Sequence, residues 1–74
     1  MSSMFSVSLM RAEHTRHYSI RLLSGSGWEV RREEDGELTR HVCYSDWHRV
    51  ERALAIFKLE VMELTSRGWA VTDG

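Results

Sequence analysis

The sequence predicts an α+β fold, in which an antiparallel β-meander of three or four strands is followed by one long C-terminal α-helix packed on one sheet face. Three observations predict it. Through residue 44, apolar side chains alternate with polar ones, the period of a half-buried strand. In a chain without proline, glycines mark the reversals at 24–27 and 35–36. After Ser45 the apolar spacing lengthens to that of a helix, and no glycine interrupts it until Gly68.

The first strand is MFSVSLM, residues 4–10, with Phe5, Val7 and Leu9 set against Ser6 and Ser8. RAEHTR follows as a polar turn. HYSIRLL, 17–23, alternates again through Tyr18, Ile20 and Leu22. SGSG is a flexible hairpin loop. WEVRRE sets Trp28 and Val30 against Glu29 and Arg31. EDGE is a second hairpin turn, because Asp35-Gly36 tolerates positive φ. LTRHVCY, 38–44, puts Val42 and Tyr44 on one face and Thr39, His41 and Cys43 on the other.

Ser45 is the expected N-cap, and Asp46 suits the positive end of the helix dipole. Arg67 stands in the last turn with Gly68 as the C′ residue. A helix from about 46 to 67 spans roughly 30 Å. Trp69, Ala70 and Val71 return apolar side chains to the body, and TDG ends the chain as a frayed tail.

Within the helix, ALAIFKLEVMEL (53–64) is apolar at nine of twelve positions, too many for one face. Trp47, Val50, Leu54, Phe57, Val61 and Leu64 recur at spacings of 3 and 4 and form the expected core stripe. Its partners on the sheet are Tyr18, Ile20, Trp28, Val30 and Val42. Ala55, Ile56, Leu59 and Met62 lie roughly opposite. They are either scattered surface residues or an interface. The interface is the preferred reading, because the four cluster and a single domain of residues 1–74 has little core of its own.

Composition narrows the function classes. One cysteine, Cys43, excludes an internal disulfide, and with no secretory leader in MSSMFSVSLM this points to an intracellular, cytoplasmic protein. No apolar run is long enough to span a bilayer. Ten basic and eleven acidic residues leave no global field for nucleic acid, so such binding would need a local patch. The best patch is Arg21, Arg31 and His41 on the open sheet face, with Arg32 and Arg40 nearby. An ordinary solvated face with a Glu29 salt bridge competes with that reading.

Signals for chemistry are sparse. His14 and His17 stand three apart, and His41 and Cys43 two apart, without the spacing of a metal set, so no metal or other cofactor is expected. There is no phosphate loop, no nucleophile elbow, no pocket signature and no nucleophile–base pair, so no enzyme is expected.

Over residues 7–71 the layout resembles the WGR domain, a small sheet-plus-helix module. The resemblance lies in VSLM and HTRHYSIRLL as the first two strands, GWEVRRE at 27–33 as the Trp-bearing strand, and SRGW at 66–69 as the helix end. The Trp-Gly-Arg signature is absent, and the chain runs from Arg31-Arg32 into EEDGE. The resemblance implies DNA binding, with Arg31 and Arg32 as the nearest positions. The leading expectation is a non-enzymatic interaction module of the adaptor or inhibitor type. It would associate as a homodimer or with a protein partner through Ala55, Ile56, Leu59 and Met62. The alternative is nucleic-acid binding through Arg21, Arg31, Arg32, Arg40 and His41.

Overall fold

A computed structural model describes residues 3–72; of the tail TDG expected to fray, Asp73 and Gly74 lie outside them, while Thr72 is held to the first strand, its amide donating to the Ser8 carbonyl at 2.8 Å. The chain forms β1 (Ser3–Arg11), β2 (His14–Leu22), β3 (Trp28–Glu34), β4 (Glu37–Tyr44), α1 (Trp47–Ser66) and β5 (Ala70–Val71). The sheet order is β4-β3-β2-β1-β5, with every neighbouring pair antiparallel. The chain is thus a four-stranded meander crossed by one helix, which carries β5 back to the far edge beside Leu9 and Met10.

The reversals follow from local chemistry. Asp35 and Gly36 both have positive φ, as a two-residue hairpin turn requires. Asp35 then reaches back to β2, where its carboxylate accepts from the Thr15 amide at 2.9 Å and from His14. The amide bond first, then His14, holds its carboxyl below the usual range. The polar turn after β1 is tighter than RAEHTR suggests. Only Ala12 and Glu13 lie between the strands, and Ala12 sits at φ +55°.

Helix α1 is capped by Asp46 rather than the expected Ser45, its carboxylate accepting from the His48 amide at 3.0 Å. Arg67 is its C-cap, and Gly68 at φ +96° follows as C′ in a Schellman arrangement. The amides of Gly68 and Trp69 donate to the carbonyls of Thr65 and Leu64.

The core consists of Leu9, Tyr18, Ile20 and Val30 from the sheet and Val50, Ala53, Phe57 and Leu64 from the helix. The Phe57 ring meets Tyr18 edge-on at 4.9 Å and stacks near Phe5. The buried helix line differs from the expected stripe. Ala53 is buried, Leu54 and Val61 are half-buried, and Trp47 is 40% exposed, resting against Trp28 at the rim. At 100° per residue this turns the helix by about 40° from the expected orientation. The cause is polar. Glu60 is drawn against the sheet by the Tyr18 hydroxyl and by Arg32, which brings that edge of the helix inward.

Candidate functional site

The open sheet face is polar because every second residue of β1 to β4 points away from the helix. Ser6, Ser8, Ser19, Arg21, Arg31 and His41 lie there, with Glu29 in register between Arg21 of β2 and Cys43 of β4. Glu29 is buried. Its carboxylate accepts from Arg21 Nε at 2.5 Å and from His41 Nε2 at 2.6 Å. The His41 bond and then the Arg21 contact hold this carboxyl below its ordinary range, against the opposing effect of burial. Arg31 is ion-paired to Glu33 at 3.4 Å. Its Nε is buried without a hydrogen-bond partner among the described residues.

The structure therefore divides the five expected nucleic-acid residues. Arg21, Arg31 and His41 share the open face. Arg32 and Arg40 pair with each other in register and project to the opposite face, with Val30 and Val42. The physical reason is the two-residue period of a strand, which sends neighbours 31 and 32 to opposite sides. Arg32 is fully engaged, with Glu60 at 3.2 Å and Glu34 at 3.5 Å. On the open face, Glu29 and Glu33 offset the positive charge.

The four residues expected to bind a partner lie together on the side of α1 that faces away from the sheet. Ile56 is 48% exposed, Leu59 65% and Met62 67%, and Ala55 is exposed beside them. The sheet has only one helix to cover it, so no element of the described chain covers this side of α1.

A third feature lies between these two surfaces. Arg40 and Tyr44 of β4 and Arg49, Arg52, Ala53 and Ile56 of α1 line a shallow cleft of about 230 Å³. Arg40 Nη2 donates to the Tyr44 hydroxyl at 3.2 Å. Arg49 and Arg52 carry no distinguishing signal in the sequence. On a helix, arginines three apart read as a solvated face, and only the position of β4 makes them part of a concave surface. The signal available was parity, since Arg40 is two residues from Val42 and must share its face.

No three His, Cys, Asp or Glu side chains converge as a metal set among the described residues. Ser8 Oγ and His17 Nδ1 lie 2.7 Å apart on the open face, a pair the sequence does not reveal because it forms between β1 and β2. No carboxylate hydrogen-bonds to the His17 ring among the described residues, and the pair satisfies itself as an ordinary cross-strand contact. Among the described residues no helix is long and apolar enough to cross a membrane.

No family model, curated protein or solved structure matches this chain. The functional reading therefore rests on the geometry of these three surfaces.

Proposed function

We propose that this chain is a non-enzymatic interaction module that binds a protein, either a second copy of itself or another chain, through the outer face of α1. The observation that carries this reading is the exposure of Ile56, Leu59 and Met62 on one side of a helix whose other side already supplies the core. Fully covering such side chains is worth about 1.5–3 kcal/mol each. A domain this small gains much from the added burial. The acidic pairing of Arg21, Arg31, Arg32 and His41 favours this reading over nucleic-acid binding by the open face. A WGR-like relationship would rest DNA contact on Arg31 and Arg32, and both are already held by carboxylates.

The test is the pair of changes Ile56→Glu and Leu59→Glu in the full chain. The double variant should remain folded with the wild-type amide fingerprint, because Ile56 and Leu59 lie outside the core. It should also lose self-association, read by sedimentation at micromolar concentration, or lose capture of a partner. Unfolding of the double variant would instead assign this face to the fold.

A further inference from the structure

The chain has nine arginines, and the structure sorts them. Arg16, Arg21, Arg31, Arg32 and Arg67 each have a carboxylate within ion-pair distance. Arg11, Arg40, Arg49 and Arg52 have no carboxylate partner among the described residues, and three of these four line the cleft of Arg40, Tyr44 and α1. Acidic residues outnumber basic ones by one in this chain, so the concentration of positive charge is local and not a result of overall basicity.

Three arginines that line one concavity bring like charges near one another, and an anion that they share relieves the repulsion. The guanidinium fork matches a carboxylate or phosphate through paired N–H donors. The Tyr44 hydroxyl adds a further polar group, while Ala53 and Ile56 give the cleft an apolar side. Ile56 also belongs to the exposed row with Leu59 and Met62, so the cleft and the apolar face form one continuous surface. A nucleic-acid backbone would need a track of cations and would gain nothing from Leu59 and Met62. A peptide that carries carboxylates beside apolar side chains matches both halves of the surface.

We infer that Arg40, Arg49, Arg52 and Tyr44 form a carboxylate-binding cleft for an acidic amphipathic segment of the partner protein, whose apolar side chains cover Ile56, Leu59 and Met62. This inference rests on the reading of the outer helix face as the partner surface. The cleft lies beside the edge strand β4, where no further strand obstructs approach.

The experiment titrates the isotope-labelled full chain with three probes and reads backbone amide shifts. One probe is a short synthetic peptide of leucine and glutamate at helical spacing. The second has glutamine at every glutamate, and the third is a single-stranded thymidine oligonucleotide of equal charge. The acidic peptide should shift the amides of Tyr44, Arg49, Arg52 and Ile56. Arg49→Gln with Arg52→Gln should weaken that binding about tenfold or more, and Arg21→Gln with Arg31→Gln should leave it unchanged. Equal binding of the glutamine peptide would overturn the carboxylate cleft while leaving the apolar face standing. Preferred binding of the oligonucleotide at the same amides would overturn the peptide assignment. Failure of all three probes to shift these amides would overturn the cleft. The Ile56→Glu, Leu59→Glu variant would then decide the outer-face reading separately.

Discussion

The hydroxyl of Tyr18 donates to Glu60 Oε1 at 2.9 Å, joining the centre of the sheet to the middle of the helix. Tyr18 is fully buried, so its hydroxyl must find a partner inside the protein. Arg32 holds the same carboxylate from β3. These bonds set the rotation of α1, and that rotation decides which helix residues remain outside. Tyr18→Phe should cost about 1 kcal/mol, because Glu60 keeps Arg32. Glu60→Ala should cost more, about 1–3 kcal/mol, because it leaves a buried hydroxyl without its acceptor. Urea unfolding of the two variants checks the order.

Burial raises the Tyr18 hydroxyl above its ordinary value of 10.0, with the contact to Glu60 adding to the rise and Arg16 opposing it. Its neutral form is therefore favoured by folding. This contribution is fully present below pH about 10 and is lost as pH rises through the higher folded value. Wild type should lose stability across that alkaline window more steeply than Tyr18→Phe. Unfolding midpoints measured on either side of pH 10 provide the comparison.

Glu29 behaves in the opposite sense. Its folded carboxyl lies below the ordinary value of 4.5, chiefly through His41 and then Arg21. The stability it contributes is present above that ordinary value and is lost as pH falls through the lower folded one. Glu29→Gln should lower stability at neutral pH by about 1–2 kcal/mol and flatten the acid limb of the stability curve. Parallel slopes for wild type and variant below pH 4.5 would show that the carboxylate is not what the acid titrates.

Two turns give changes of opposite sign. Ala12 occupies φ +55°, a conformation that disfavours a Cβ, so Ala12→Gly should stabilise the protein by about 0.5–1 kcal/mol. Gly27 has φ +122°, and a Cβ there would lie 3.0 Å from the Tyr44 carbonyl oxygen. Gly27→Ala should therefore destabilise by about 1 kcal/mol or more. Thermal unfolding of the two variants should move in opposite directions.

The parts of the fold legible in the sequence are those with a strong period. The alternation in Phe5, Val7 and Leu9 and in Tyr18, Ile20 and Leu22 marks β1 and β2 because one face is buried and the other is wet. Asp35-Gly36 marks its turn by backbone chemistry alone. The two-residue β5 has no such pattern, since Ala70 and Val71 are both exposed and pair only through backbone. The burial of Ala53 in place of Leu54 was hidden because it depends on Glu60 reaching Tyr18, residues 42 apart in the chain. The arginine cleft was hidden for the same kind of reason, since it needs β4 and α1 side by side. The outer face was legible, because helical spacing alone separates Leu59 and Met62 from Phe57 and Leu64.

The central claim is that this outer face exists to be covered by another protein. The most direct measurement is affinity capture from the source cells with the tagged wild-type chain beside Ile56→Glu, Leu59→Glu. It should include a second, differently tagged copy and should score protein and nucleic acid together. The account predicts that wild type retains a protein in stoichiometric amount, either the second copy or another chain, and that the double variant retains neither. Equal recovery by both forms, or recovery of nucleic acid alone, would contradict it.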